Sequence, residues 1–277
     1  MALFNKIAII GVGLIGGSLA RAIKKRHVSK TVVGYFRNKN KLKKAVRNRL
    51  IDGGCSSIEE SIKDSDLIIL ALPINQILNF MAKIKKIKKD NAIIIDVGST
   101  KSNVVAAAQR LNLNFVGTHP LAGSEKRGAD FSSVELFENS NVLITPTKKT
   151  DKNSLIKIVQ FWKKLNTKTF ILSPKQHDKI LASISHLPHV SSFCLMNSIP
   201  QKHLGFGATG LKDSTRIALS DAQIWTDIFL SNRVEIIRSI KSLENQIKKL
   251  EKFIKQNKRK QLFNFINSSK EKREEIE

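Results

Sequence analysis

The stretch that most constrains the fold lies at the very start of the chain, where the apolar run Ile7-Ala8-Ile9-Ile10 passes directly into Gly11-Val12-Gly13-Leu14-Ile15-Gly16-Gly17-Ser18. A buried strand followed by G-x-G-x-x-G and then a helical pattern suits a dinucleotide-binding turn. Gly11 permits the tight turn, Gly13 lets the backbone approach a pyrophosphate, and Gly16 lets the helix pack against the strand. Leu14 and Ile15 stand at the opening of that helix, whose unpaired N–H groups and positive dipole end favour phosphate. A bare glycine turn is the alternative for such a short motif. Here a strand precedes it, a helix follows it and a second strand comes next, which favours the dinucleotide site.

The first half of the chain continues as short apolar runs alternating with amphipathic stretches, the pattern of βαβ units around a parallel sheet. Strands are expected at Lys6–Ile10, Thr31–Tyr35, Leu67–Leu72, Ala92–Val97, Phe115–Thr118, Asn141–Thr145 and Lys168–Ile171. Helices are expected at Ile15–Lys25, Asn40–Asn48, Ile74–Ile87, Lys101–Arg110 and Ser154–Leu165. From Pro174 the periodicity becomes helical throughout, starting with Gln176–Met196. With 277 residues, the chain is long enough for two domains. The reading is therefore an α/β N-terminal domain with a mostly parallel sheet, residues 1–173, followed by an all-α C-terminal domain, residues 174–277; the family resemblance given below implies that the first is Rossmann-like and the second a substrate and dimerisation domain. Ile236, Ile240, Leu243, Ile247, Leu250 and Ile254 form a stripe that suits a helical seam, against a second subunit or within the domain. Ser268–Glu277 is charged and is expected to fray.

A formal charge of +25 raises the question of a polyanionic partner. The Lys and Arg residues are dispersed, however, and accompany many Ile and Asn residues with little aromatic interleaving. This reads as a basic solvated surface, with no nucleic-acid partner. No apolar run approaches the ~18–20 residues of a bilayer span, so a soluble chain with no membrane association is expected. Cys55 and Cys194 fit neither a disulfide framework nor a metal pattern, which points to a cytoplasmic setting. His186 and His189 are three apart, yet no carboxylate or cysteine completes a ligand set, so no metal is expected.

The end of the second strand bears on cofactor choice, because an Asp or Glu there would accept from a ribose 2′-OH. The chain has Gly34-Tyr35-Phe36-Arg37-Asn38 instead, and its first 50 residues hold thirteen Lys or Arg and no acid. Arg37, with Asn38 beside it, is the candidate partner of a 2′-phosphate. The cofactor is NADP or NAD, with NADP favoured; a plain surface arginine is the alternative role for Arg37.

Chemistry is expected at the C-terminal ends of the strands, where three segments fall: Ala71-Leu72-Pro73, Asp96 to Ser102, and Gly117 to Glu125. Leu72 and Pro73 join the candidate cofactor residues. A neutral His119 at a strand end could take the proton of a substrate hydroxyl, and Ser99 could orient that ring or a nicotinamide. Taken singly, each could equally be a satisfied turn residue.

Together the segments resemble the prephenate dehydrogenase family. The resemblance runs through GVGLIGGS, DVGSTK, THPLAGSEKRGAD, SHLPH and KDSTRIALSDAQIWTDIFLSN, from about Ile7 to Asn232. It implies a Rossmann-like domain and a helical domain that forms a homodimer. It also implies oxidative decarboxylation of prephenate, or of its amino analogue arogenate, with hydride passing to NAD or NADP on the way to tyrosine. Matching motifs position by position, His119 accepts the hydroxyl proton, and Ser99 holds His119 and the nicotinamide in register. Arg216 grips a substrate carboxylate, His189 lies on the substrate side with His186 structural, and Trp225 walls the pocket. The acid common in NAD-preferring members is replaced by Phe36. Two other readings compete: a β-hydroxy acid dehydrogenase of similar architecture, which would use a lysine base, and a non-catalytic NADP-binding sensor, which would lack the paired substrate constellation.

Overall fold

The computed structural model describes residues 1–123 and 128–276. Ser124 and Glu125, at the end of the third segment named above, lie outside the described residues.

An eight-stranded sheet forms the N-terminal domain: β1 (Phe4–Ile10), β2 (Ser29–Tyr35), β3 (Gly53–Cys55), β4 (Leu67–Leu70), β5 (Ile93–Asp96), β6 (Phe115–Pro120), β7 (Asn141–Thr145) and β8 (Lys168–Ile171). The spatial order is β3-β2-β1-β4-β5-β6-β7-β8. All neighbours pair in parallel except β6 and β7. The central strands carry continuous apolar runs, Ile7–Ile10 in β1, all of β4 and Ile93–Ile95 in β5, because successive side chains reach opposite faces and both faces are covered. On β1, Ile7 and Ile9 enter one core, while Ala8 and Ile10 enter the other. Leu67 and Ile69 of β4 alternate with Ile68 and Leu70 in the same way.

Helices α1 (Leu14–Lys25) and α6 (Lys152–Lys164) contribute Leu19, Ile23, Phe161 and Trp162 to the first core. On the other face, α4 (Ile74–Ile87) and α5 (Ser102–Arg110) contribute Ile77, Met81, Ile84 and Val104. Two short helices, α2 (Lys39–Arg47) and α3 (Ile58–Ile62), flank β3. Sequence reading missed both β3 and α3. Gly53-Gly54-Cys55 carries no apolar run, and the strand exists through its pairing with Val33–Tyr35 of β2.

The C-terminal part is helical: α7 (Pro174–Leu181), α8 (Leu187–Ser198), α9 (Thr209–Thr215), α10 (Ala222–Ser231), α11 (Arg233–Lys255) and α12 (Arg259–Glu274). The single helix expected over Gln176–Met196 is interrupted by a π turn at Ala182–His186. Pro188 lacks an N–H and its ring crowds the carbonyl of the preceding turn, so the helix widens just before it. The expected fraying from Ser268 is corrected: α12 extends to Glu274. Its last turns are held by Asn267 donating to Glu271 at 2.8 Å and by the Lys270–Glu274 ion pair at 3.6 Å. Further back, Phe265 meets Phe253 of α11 edge to face. Among the described residues, no helix is long and apolar enough to cross a membrane.

The glycines of the first turn do different work. Gly11 has φ +97°, and a Cβ there would lie 2.2 Å from the Ala71 carbonyl oxygen. A Cβ at Gly16 would lie 2.2 Å from the Gly11 carbonyl oxygen, whereas one at Gly13 would meet nothing within 4 Å. Gly16→Ala should therefore push α1 off β1 and lower stability by about 1–3 kcal/mol, the scale of overpacking. Gly13→Ala should leave stability nearly unchanged. Thermal and denaturant unfolding of the two variants checks this; equal stability would show that the helix does not depend on that close approach.

Candidate active site

The C-terminal ends of β1, β4, β5 and β6 open towards the helical domain, and a cleft of about 750 Å³ lies between them. That is ample for a small substrate beside part of a cofactor. The sheet side supplies Gly13, Leu14 and Ile15, then Leu72 and Pro73, then Ser99 and His119. The helical side supplies His186, His189, Arg216 and Trp225. Gly11, Gly16, Arg37 and Asn38 do not line it. The two glycines shape the turn from behind, and the other two residues are exposed beyond β2.

His119 is buried at the end of β6, opposite Leu143 of β7. Its Nδ1 lies 2.9 Å from His177 Nε2, and His177 Nδ1 lies 2.8 Å from Asp178 Oδ1. The carboxylate can only accept from the ring, so His177 carries its proton on Nδ1 and presents a lone pair at Nε2. His119 must then donate from Nδ1, which leaves its own Nε2 as the acceptor. Burial is the main influence holding His119 well below the usual histidine value of 6.5, aided by repulsion from His177, Lys101 and His186. At neutral pH His119 is thus an uncharged base.

Asp178 anchors this chain of rings. It also accepts from the backbone N–H groups of Lys101 and Ser102, each at 2.8 Å, at the start of α5. Burial pushes its carboxyl upward, but bonds from His177, Ser102 and Lys101 outweigh that and hold it below the ordinary aspartate value. Below it, Lys101 and Asp96 form an ion pair with both side chains fully buried. Asp96 further accepts from the N–H of Gly98 at 2.9 Å and of Thr118 at 3.3 Å, tying the end of β5 to the strand carrying His119.

Ser99 lines the cleft, but no hydrogen bond joins it to His119; the ring is held by His177 instead. Sequence reading missed His177 and Asp178. Their neighbours in space are 58 and 77 residues away, and a His-Asp pair in a helix carries no signal of its own. The adjacency of the two was the only available cue.

On the helical side, the π turn directs Ser185, His186 and His189 to the cleft. His189 Nδ1 donates to the Ser185 carbonyl at 3.0 Å, so its neutral form offers a lone pair at Nε2. The ring stacks on Trp225, with centroids 3.4 Å apart and planes 22° apart. Burial lowers the His189 pKa; its backbone bond opposes this, and nearby Arg216 adds to the lowering. His186 is buried, its Nδ1 3.2 Å from Asn232 Nδ2, and burial lowers it to about 4. Arg216 is exposed at the rim and forms no ion pair among the described residues.

The open space opposite Gly13 fits a dinucleotide, because the backbone there is free of side chains within 4 Å. Phe36 does not face that space. Its ring is 8% exposed and packs into the core near Gly34, Val12 and Ile51. Asn38 caps α2, accepting from Asn40 and Lys41 N–H. Its carbonyl oxygen is thereby committed, while Arg37 remains exposed next to that helix terminus.

Residues 19–171 match the prephenate dehydrogenase nucleotide-binding domain, and residues 173–268 match the prephenate dehydrogenase dimerization domain. The chain is 32% identical to the prephenate dehydrogenase of Bacillus subtilis over 280 residues, covering 98% of this chain and 76% of that protein. Its fold is similar to the prephenate dehydrogenase of A. aeolicus in complex with hydroxyphenyl propionate and NAD+, with TM-score 0.93, 32% identity, and 99% and 98% of the two chains covered. It is also similar to the arogenate dehydrogenase of Synechocystis, with TM-score 0.87, 26% identity, and 98% and 100% covered. With two matched domains spanning both layers of the cleft, this chain belongs to the prephenate dehydrogenase family.

Proposed function

We propose that the cleft oxidises and decarboxylates prephenate, or its amino analogue arogenate, in tyrosine biosynthesis. One observation carries the assignment of roles: a neutral histidine whose Nε2 is left as an acceptor shares a cleft with a guanidinium that has no ion pair among the described residues and with the glycine turn. The substrate is a cyclohexadienyl ring with a hydroxyl, a carboxylate opposite it, and a side chain ending in a second carboxylate.

His119 Nε2 takes the hydroxyl proton, and the resulting imidazolium is steadied through His177 by the Asp178 carboxylate. Bound nicotinamide supplies the hydride acceptor. With the hydroxyl carbon oxidised to a carbonyl, the ring carboxylate leaves as CO2, its bonding pair makes the ring aromatic, and the phenolate oxygen so formed takes the proton back from His119. Arg216 pairs with a substrate carboxylate, for which its planar fork is suited. Trp225 and His189 form a flat wall, and Ser99 stands at the junction of substrate and cofactor. A β-hydroxy acid dehydrogenase would need a lysine base in the cleft. Lys101 is the buried lysine nearest His119, and Asp96 already engages it.

The division of labour follows residues 1–173 for cofactor and 174–277 for substrate. The helical domain also pairs with a second copy. Leu243, Leu250 and Phe253 of α11 are half-buried, while Ile247, Ile254, Phe263 and Ile266 leave an apolar surface on α11 and α12. NADP is preferred to NAD, since Arg37 and the start of α2 place positive charge just past β2, where the sequence carries no acid to accept from a ribose hydroxyl.

Crossing prephenate and arogenate with NAD+ and NADP+ in steady-state assays tests the activity itself. His119→Asn should lower kcat by about 10²–10⁴-fold, the usual contribution of a general base, with little change in cofactor Kd. Turnover near that of the wild type would remove His119 from the chemistry. For the cofactor, Arg37→Ala should lower kcat/KM for NADP+ by roughly 10–100-fold, matching the loss of a charge-assisted hydrogen bond. The value for NAD+ should stay nearly constant. A wild-type preference for NAD+ that the substitution leaves unaltered would show that Arg37 does not read the phosphate. Phe36 is left intact because an acid there would be buried in the core.

A further inference from the structure

One carboxylate in the cleft has no role in the chemistry described so far. Asp227, on α10, is only 7% exposed and lines the cleft. Its Oδ1 accepts from Asn75 Nδ2 at 2.7 Å and from Gln223 Nε2 at 3.3 Å, while among the described residues no donor reaches Oδ2. No lysine or arginine pairs with it among the described residues. One oxygen of this carboxylate is thus held by two neutral amides, and the other remains open to a cation brought into the cleft.

Its position selects which cation. Asn75 sits in the first turn of α4, two residues after Pro73. The neighbouring Ile74 closes over the end of β5, where a Cβ on Gly98 would meet Ile74 Cδ1 at 2.5 Å. Asp227 is therefore held above the ends of β4 and β5, the side of the cleft reached from the glycine turn. Trp225, two residues earlier on the same helix, stacks instead on His189. One helix thus presents an aromatic wall to the substrate side and a carboxylate to the cofactor side.

We propose that Asp227 makes the cleft distinguish the oxidised from the reduced nicotinamide, a reading that rests on the dinucleotide assignment above. The oxidised ring carries a positive charge, and the reduced ring is neutral. A fixed negative charge beside the ring strengthens binding of the first and gives the second no such attraction, so the helical domain assists cofactor exchange after each turnover. Asp227 is a positioning and selectivity residue and takes no proton. The competing role for the same contacts is a plain latch between α10 and α4 through Asn75.

Equilibrium binding of NAD+ and NADH, and in parallel NADP+ and NADPH, separates the two roles in the wild type, Asp227→Asn and Asn75→Ala. Asp227→Asn keeps an acceptor for Asn75 and removes the charge. It should raise the ratio of oxidised to reduced Kd by about tenfold at low salt, the scale of a partly screened charge pair. Asn75→Ala should lower Tm and leave the ratio unchanged. Equal weakening of both forms by Asp227→Asn would overturn the proposal in favour of the latch. If Asp227→Asn does not fold, competition in the wild type decides: the N-methylnicotinamide cation should displace NADH more readily than neutral nicotinamide, and the reverse order would overturn the proposal. Failure of the wild type to bind any of the four dinucleotides would instead overturn the dehydrogenase reading itself.

Discussion

The Asp178 carboxylate is the contact on which both the domain arrangement and the candidate base depend. It stands in the first helix of the C-terminal domain yet serves as the acceptor for the opening amides of α5 in the sheet domain. Helix α5 has no side-chain cap of its own, so this carboxylate answers donors that would otherwise be buried without partners. The same carboxylate fixes the proton on His177. The Asp178 carbonyl also accepts from Asn232 at 2.8 Å, which draws the start of α11 to the same point. Burying a lone carboxylate is unfavourable by several kcal/mol, and here backbone and ring donors offset that cost. Replacing it would leave two helix amides unpaired and free His177 to adopt either tautomer.

A second buried charge does related work inside the sheet domain. Lys101 and Asp96 neutralise one another at the C-terminal end of β5, and Asp96 bonds both the turn after β5 and the backbone of β6. A buried pair of this kind contributes little net stability against apolar residues of the same size. Its effect is positional: it sets the height of β6 relative to β5, and hence where His119 enters the cleft. The positive charge also helps keep His119 unprotonated. The base is thus tuned from below by Lys101 and oriented from the side by His177.

Sheet, crossover helices and glycine turn were legible because each is written locally, as apolar runs of strand length and as glycines at fixed spacing. The cleft residues His119, His189, Arg216 and Trp225 could be found because they sit in motifs at strand ends and in the helical domain. What escaped detection depends on distance or on weak local chemistry. β3 is two glycines and a cysteine that become a strand through pairing alone. The inward turn of Phe36 follows from space left by Gly34, which no local pattern records. The segment from Ser268 reads as a charged tail, but Lys270 and Glu274 are spaced four apart, as helical partners are. The His119–His177–Asp178 chain joins His119 to an adjacent pair 58 residues further on, and only the folded molecule brings the two parts together.

The central claim is the protonation pattern of that chain, and histidine 15N NMR of the folded protein measures it directly. His119 should remain neutral at pH 6.5, with its proton on Nδ1 and its Nε2 an acceptor, because burial and nearby positive charge hold its pKa well below that value. His177 should show the same tautomer, and Asp178→Asn should disturb both resonances while leaving the fold recognisable. A His119 ring half-protonated near pH 6.5, or one carrying its proton on Nε2, would rule out His119 as a neutral base oriented by His177 and Asp178.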